Sequence, residues 1–521
     1  MTAPSPRARP AHLTPQPLAE FAERFGCRVH GPADGVLLTG ITLSTDDVAP
    51  GDLFVALPGA NAHGAQYAQA AAERGAVAIA TDDDGLGLAA ATGLPVAVID
   101  RPRAQLGAMS AWVYGTADRA TMPIMLATTG TNGKTSVSHL LDGMLHALGA
   151  VTGLSSTAER RVGDLVLPSR LTTPEAPEVH ALLAVMREHG VDTVIVEVSA
   201  QALSRHRVDG LVFDVAGFTN LSHDHLDDYA DMSAYFDAKL PLFQPDHARR
   251  GVVSLDSAYG APFAARSGIP VTTIITPALA DDASTVADWT VDVLDERADG
   301  TSFRLRGPDG RSLQTIVPVV GTHMAANAGL ALVMLAEAGY AWERLVEAFD
   351  GGRVDAFIPG RLERVSGERG PAVYVDYGHS TDAFVKTLAA VRRVTPGRVV
   401  MMFGADGDRD TTKRAAMGAA AVEGSDVLVI CDFNPRREDP ALIRAALIEG
   451  ARAARPDATI LEHADPEEAI RAALSLVGEG DAVVWAGPGH EDHREVGGRK
   501  IPQSARAVAR EALRDAGWPP A

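Results

Sequence analysis

Two cysteines in 521 residues, Cys27 and Cys431, stand far apart and in no metal-ligand spacing. That excludes a disulfide scaffold and a zinc ribbon and fits a reducing cytosol. Positive charge is also scarce. Against 67 Asp and Glu there are 47 Lys and Arg, leaving a formal net charge of −20 with no long basic run, which argues against a nucleic-acid footprint. No apolar run approaches the length needed to cross a bilayer. The proline-rich first 17 residues carry arginines without an apolar core behind them, so a floppy leader is expected there, not a signal peptide. Beyond that leader the chain has no internal repeat and no low-complexity tract. What remains is an ordinary globular composition, 46% hydrophobic and 22% charged, in a chain too long for one core.

The most informative stretch is residues 122–135, MPIMLATTGTNGKT, an apolar strand-like run that breaks into Gly130-Thr131-Asn132-Gly133-Lys134-Thr135. After it, Val137, Leu140, Leu141, Met144 and Leu145 recur at helical spacing. A strand, a glycine turn and a helix opening at Lys-Thr is a phosphate cradle. Glycines let backbone N–H groups approach the oxygens and the helix N-terminus favours anions. The lysine neutralises β/γ charge, and the threonine hydroxyl reaches Mg²⁺. The usual pattern has Gly where this chain has Thr128, so the loop is a variant. An ordinary glycine turn between two core elements is the alternative.

Around the loop the chain divides into a leader (1–17), a small α/β unit (18–118), a central nucleotide-binding unit (119–357) and a C-terminal unit (358–521). Within the central unit, residues 278–317 alternate in a way that predicts an antiparallel patch. In the last unit, strand-like AVYVDY, RVVMMFG, DVLVICD, ATILEH and AVVWAG alternate with amphipathic helical segments. One of these carries Asp465 as N-cap and Pro466 at the first helical position. That alternation predicts a parallel, doubly wound sheet with ligands beyond the C-terminal strand ends. The fold expected is thus α/β in three domains: a small N-terminal unit, a P-loop ATPase-like centre and a Rossmann-like C-terminal unit.

Several side chains look chemical. Glu197 ends the apolar run IVEV, where a carboxylate is costly to bury unless paired or metal-bound. It either reaches the magnesium of a nucleotide or caps neighbouring backbone. The segment 220–228 is dense in oxygen and imidazole donors, with His225 and Asp227 as candidate cation ligands and a solvated loop as the alternative. Lys239, among aromatic and aliphatic residues, reads on chemistry alone as a snorkelling lysine. Arg361, Arg409, Lys413, Arg414 and Arg436 form a cationic set near strand ends of the C-terminal sheet. They suit carboxylate or phosphate, or they are surface charges.

These pieces, in this order, resemble the Mur ligase family, the ATP-dependent amide-forming enzymes of peptidoglycan synthesis. The resemblance runs from about residue 38 to the C-terminus. It rests on GDLFVAL, GTNGKTS (130–136), LTTPEA, EVSAQAL, FTNLSHDHLDDY, AYFDAKLPLF, PGRLERV, DYGHSTDA, FGADGDRD, NPRREDP and GPGHED. The GDRD, NPR and GHE trio is similar to the MurE branch, which adds a diamino acid to UDP-N-acetylmuramoyl-L-alanyl-D-glutamate.

The resemblance implies ATP and Mg²⁺ as cofactors, the UDP-linked dipeptide and a free diamino acid as substrates, and a cytoplasmic monomer with no nucleic-acid or membrane partner. It implies that Gly130 to Ser136 hold the phosphates, that Lys239 is carbamylated, and that Thr135, Glu197, His225 and Lys239 bind magnesium. By the same resemblance Asn327, Arg361 and Asp376 contact the nucleotide. Thr45, Thr172, Thr173, Ser199, Arg205 and Arg207 line the UDP-muramoyl peptide, and Arg409, Asn434, Arg436, Gly487 and Glu491 line the amino-acid pocket. The implied general base is open, with His379 and nearby carboxylates as candidates.

Departures from the family pattern fall at Ser44-Thr45-Asp46, Ser199-Ala200-Gln201, Gly378-His379-Ser380-Thr381, Pro488 and Phe433. Phe433 replaces the Asp that leads Asn-Pro-Arg. Arg436 suits a second carboxylate, which favours meso-diaminopimelate; an aromatic at the mouth suits a shorter apolar stem, as in lysine, ornithine or diaminobutyrate. Two readings compete with peptidoglycan ligation: a diverged ligase of another peptide or specialised metabolite, and a P-loop binding switch.

Overall fold

The computed structural model describes residues 8–59, 61–169, 171–224, 226 and 228–521. Among these, three large sheets succeed one another along the chain. The first has five strands in the order Arg28–His30, Val96–Val98, Ala78–Thr81, Asp52–Val55 and Gly40–Thr42. All are parallel except the first. The residues of the four parallel strands are buried, as strands covered on both faces must be, while Arg28 and His30 of the antiparallel edge are exposed.

The second sheet has 11 strands. Its parallel centre is Thr152–Ser155, Thr193–Glu197, Ile124–Thr129, Phe213–Phe218, Ala248–Ser254 and Val271–Ile275. Helices Lys134–Ala147 and Thr322–Glu337 cover one face through Leu140, Leu141, Met144, Ala328, Leu332 and Leu335. The antiparallel patch expected in residues 278–317 consists of Trp289–Arg297, Gly300–Arg306 and Ser312–Val317, and it extends this same sheet. It joins because its alternate residues Val291, Phe303, Leu305 and Leu313 belong to the core under Thr322–Glu337.

The third sheet runs Glu363–Arg364, Ala372–Asp376, Ala482–Ala486, Val399–Phe403, Val427–Ile430 and Thr459–Glu462, parallel but for its first strand. Apolar layers cover both its faces, the doubly wound arrangement that the strand and helix alternation predicts. Helix Pro466–Ser475 starts as expected: the Asp465 carboxylate accepts from the Glu467 N–H, and Pro466 follows. A hairpin that the alternation did not announce, His493–Val496 with Arg499–Pro502, turns on Gly497 and Gly498 at φ 58° and 74°. Two successive positive φ values are what a tight hairpin turn demands.

The C-terminal strand ends of the second and third sheets open onto one cavity of about 750 Å³. Polar contacts tie the facing units together around it. The Arg361 guanidinium donates to the Thr135 hydroxyl at 2.9 Å, the Asn132 amide to the Asp382 carboxylate at 3.0 Å, and the Lys413 ammonium to Asp224 at 3.2 Å.

Candidate active site

The glycine loop lies between strand Ile124–Thr129 and helix Lys134–Ala147. Gly130 and Gly133 sit at φ 146° and 90°, conformations that L side chains avoid. Space forbids a side chain as well: a Cβ on Gly130 would meet the Thr219 hydroxyl at 1.9 Å, and one on Gly133 would meet Asn327 Oδ1 at 2.8 Å. The neighbouring strand end braces the loop. Asn220 accepts from the N–H groups of Thr131 and Asn132 at 2.9 and 3.0 Å, through its carbonyl and its side chain. Thr219 donates to the Asn132 carbonyl at 2.6 Å. Thr128, where the usual pattern has glycine, is fully buried and shares a 2.9 Å hydroxyl hydrogen bond with Ser138. It pins the helix to the strand.

Three ionisable groups crowd behind the loop. Lys134 donates to the carbonyls of Gly130 and Thr131 at 3.0 and 2.9 Å, and burial pulls its ammonium down from the ordinary lysine value. Lys239, 1% exposed, donates to the Gly130 carbonyl at 2.9 Å and lies 4.5 Å from the centre of the Tyr235 ring. Burial first, and the Lys134 charge second, hold its pKa well below the usual range. A snorkelling lysine would keep its ammonium in water, and this one does not.

Glu197 is wholly buried at the end of strand Thr193–Glu197, beside Thr128. Burial pushes its carboxyl up, against the pull of Lys134. It accepts from the Thr157 N–H at 3.1 Å and the Thr157 hydroxyl at 2.8 Å. His225 and Asp227 lie outside the described residues. Among those described, no three His, Cys, Asp or Glu side chains converge as a metal site.

The polar wall continues away from the loop. Thr172 lies 3.0 Å from Thr157, hydroxyl to hydroxyl. The buried Thr173 donates to the Glu197 carbonyl at 2.7 Å and accepts from the Ser199 N–H at 3.1 Å, so its hydroxyl shapes the strand end. Ser199 caps helix Ala200–Ser204. Arg207 is held by Glu175 at 3.0 Å, and Arg205 stands 3.7 Å from Asp228. Thr172, Ser199, Arg205 and Arg207 line the cavity, as do Thr131 to Ser136 and Asn327. Thr45 does not line it. Thr45 stands in the turn Thr45–Asp47 of the first unit, where its carbonyl accepts from Arg74 at 2.6 Å.

Across the cavity, Arg361 lies over the Tyr377 ring at 4.3 Å. Asp376 accepts from the N–H groups of Leu362 and Gly378 at 2.9 and 2.8 Å, fixing the turn that presents Arg361. Gly360 needs its φ of 62°, and a Cβ there would strike the His490 nitrogen at 2.1 Å. The His490 imidazole, mostly buried against Tyr377, is pushed down to about 3, chiefly by burial and then by the Arg361 charge. It stays neutral.

Arg409, Phe433, Asn434, Arg436, Gly487 and Glu491 share one end of the cavity. Asn434 accepts from the Glu495 N–H at 2.9 Å, and its amide reaches Glu491 at 3.5 Å. Burial raises the Glu491 carboxyl, and the Asp406 charge raises it further. The Arg436 guanidinium, expected to face a substrate carboxylate, stands 3.4 Å from Asp406 and 3.5 Å from Glu495. Its backbone is sewn to the unannounced hairpin, donating to the Glu495 carbonyl at 3.0 Å and accepting from Gly497 at 2.6 Å.

Sequence reasoning gave no individual role to Thr157, Tyr377, Asp382, Asp406 or Glu495. Asp406 sits inside the GADGDRD motif, and the Gly497-Gly498 pair signals the hairpin carrying Glu495. The other three are ordinary residues until the fold assembles them.

Comparison with known proteins agrees with this architecture. Residues 37–129, 128–335 and 360–489 match family models described as "Mur ligase family, catalytic domain", "Mur ligase middle domain" and "Mur ligase, glutamate ligase domain". A UDP-N-acetylmuramyl-tripeptide synthetase of Leifsonia xyli subsp. xyli is 60% identical over 521 residues, covering 99% of this chain and 100% of that one. The UDP-N-acetylmuramoyl-L-alanyl-D-glutamate–2,6-diaminopimelate ligase of Streptomyces coelicolor is 41% identical over 518 residues, covering 99% of each. A solved structure of a ligase with that same name superposes with a TM-score of 0.64 at 26% identity, over 97% of this chain and 100% of that one. The chain belongs to the Mur ligase family.

Proposed function

We infer that this chain is an ATP-dependent carbon–nitrogen ligase of the UDP-N-acetylmuramyl-tripeptide synthetase type, adding a diamino acid to UDP-N-acetylmuramoyl-L-alanyl-D-glutamate in peptidoglycan precursor synthesis. One observation carries the reading: the phosphate loop and the Arg409–Asn434–Glu491 wall face a single cavity, and Arg361 of the one unit donates to Thr135 of the other. A nucleotide switch has no need of the second wall.

We assign residues 18–118 to the UDP end of the substrate, 119–357 to ATP, and 358–521 to the amine. In this assignment the loop from Gly130 to Ser136 takes the phosphates, Asn327 the adenine, and Arg361 and Asp376 the C-terminal side of the nucleotide. Thr172, Thr173, Ser199, Arg205 and Arg207 orient the muramoyl peptide, and Thr45 offers a hydroxyl to the uracil. The γ-phosphoryl group passes to the side-chain carboxylate of D-glutamate, giving an acyl phosphate and ADP. Lys134 leaves its two carbonyl partners to meet the charge that develops. The amine then attacks the acyl carbon; the C–N bond forms, phosphate leaves, and the amine gives up a proton to solvent or a nearby base. Positioning and fixed charge supply the acceleration, since no side chain attacks covalently.

The residues behind the loop fit a magnesium ion. Glu197 faces Lys134, and the buried Asp224 acts on both Lys134 and Lys239; carbamylation of Lys239 would replace a depressed ammonium by an anion. Thr135, Glu197, carbamylated Lys239 and, outside the described residues, His225 would hold the ion, which supplies positive charge at the transferring phosphoryl group. The chemistry belongs in the cytoplasm. We expect a monomer with no nucleic-acid or membrane partner; among the described residues no helix is long and apolar enough to cross a membrane.

The test is phosphate release. Phosphate should appear in equal amount to amide, and only when ATP, the UDP-linked dipeptide and a diamino acid are all present. Release without dipeptide would point to a nucleotide switch.

A further inference from the structure

The end of the cavity around Arg436 bears on which diamino acid enters, and the argument rests on the ligase reading above. Every diamino acid brings an α-carboxylate and an α-amine. What distinguishes diaminopimelate from lysine, ornithine or diaminobutyrate is a second carboxylate beside its far ammonium. A pocket that welcomes that carboxylate needs a cation to meet it, and Arg436 is a guanidinium lining this part of the cavity.

In this chain that guanidinium already has two carboxylate neighbours, Asp406 at 3.4 Å and Glu495 at 3.5 Å. Neither arrangement rests on a loose side chain alone. The Gly407 N–H donates to the Asn434 carbonyl at 2.9 Å, and a Cβ at Gly407 would sit 2.1 Å from the Pro435 carbonyl. The segment holding Asp406 is therefore clamped against the one leading to Arg436. Arg414 holds the Asp406 carbonyl at 3.0 Å, while Glu438 grips Arg414 through both oxygens at 2.6 and 2.8 Å. On the other side, the backbone pairing of Arg436 with Glu495 fixes the second carboxylate.

The local charge follows. Asp406, Glu491 and Glu495 gather around Arg436, with Lys500 opposite Glu495 across the hairpin and its charge reaching Glu491 as well. Arg409 on the cavity wall suits the α-carboxylate common to all the candidates. Phe433 lines the cavity, 8% exposed, and a Cβ at Gly487 would be in ordinary contact with its ring at 3.7 Å. An aromatic there packs on methylenes and offers no partner to a carboxylate.

We propose that the amine site selects a diamino acid with a single carboxylate, because Asp406 and Glu495 neutralise the arginine that a second carboxylate would require. The far ammonium of such a substrate meets Glu491 and Asp406. Diaminopimelate would bring its carboxylate against those same acids, a like-charge contact that disfavours binding. Asp406 is the residue that sets the choice.

The experiment offers wild-type enzyme an equimolar mixture of meso-diaminopimelate, L-lysine, L-ornithine and L-diaminobutyrate with ATP, Mg²⁺ and the UDP-linked dipeptide, and reads the tripeptide products by mass. In parallel, hydroxylamine replaces the amino acids and traps the acyl phosphate. A monocarboxylic product should exceed the diaminopimelate product by about 30-fold or more. In Asp406→Asn that ratio should fall by about tenfold, a comparison of two products within one enzyme that partial loss of folded protein does not disturb. Diaminopimelate as the preferred amine of the wild type overturns the proposal, as does a ratio that stays put in both Asp406→Asn and Asp406→Gly. Absence of trapped hydroxamate overturns the ligase reading itself, and the pocket assignment with it.

Discussion

The phosphate loop and the amine pocket lie on opposite sides of one cavity and are built in opposite ways. The loop is one continuous segment, braced by the adjacent strand end through Thr219 and Asn220, and its lysine rests on its own backbone carbonyls. The amine pocket takes Asp406, Asn434, Glu491 and Glu495 from four separate strand ends and turns. Geometry in the first is fixed by glycine conformations and main-chain bonds. In the second, main-chain bonds hold the segments together, but which charges meet is set by side chains from different segments. A continuous segment keeps its geometry through changes elsewhere in the chain, whereas an assembled pocket changes specificity when a single partner changes.

Lys134→Ala should break the loop side most severely. Turnover should fall by about a hundred- to a thousandfold, with the melting temperature close to wild type because the lysine's hydrogen bonds are to the Gly130 and Thr131 carbonyls of its own loop. Phosphate release and thermal melting measured on one preparation check both halves.

Lys239→Ala should lose nearly as much, and added short carboxylates should restore part of it. Equilibrating the wild type with isotope-labelled carbon dioxide gives a readout apart from turnover: a carbamate carbon in the NMR spectrum that the variant lacks. Full activity of the variant in bicarbonate-depleted buffer would make Lys239 a packing residue.

On the pocket side, Glu491→Gln should raise KM for the diamino acid by about 30-fold while KM for ATP moves far less. A parallel rise in both constants would mean that Glu491 acts on closure of the two units and not on the amine. The smallest change serves as a control remote from both regions. Asp465→Ala removes the cap of helix Pro466–Ser475 and should cost about 1 kcal/mol of stability, seen as a lower melting temperature, with the ranking of amines unmoved.

The same contrast decides what could be read before the fold was known. The strand, glycine turn and helix of residues 122–147 declare themselves through spacing alone, and so do the alternating elements of the last unit. The Asp465-Pro466 helix start was legible to the residue, since capping is local chemistry. Lys239 was not legible from chemistry, because its burial beside Lys134 depends on strands more than a hundred residues away. Arg436 shows the limit most clearly. Its type and position were evident, but its neighbours Asp406 and Glu495 come from a different strand end and from a hairpin, so the sequence suggested a waiting guanidinium where the fold holds a paired one.

If the loop makes the acyl phosphate and the pocket chooses the amine, the two sides must separate in one measurement. Hydroxylamine trapping and amide formation, run together on Lys134→Ala and Glu491→Gln, provide it. The account predicts that Lys134→Ala loses hydroxamate and amide alike, and that Glu491→Gln loses amide in far greater proportion than hydroxamate. Hydroxamate from Lys134→Ala at the wild-type rate, or equal losses of both products in Glu491→Gln, would contradict it.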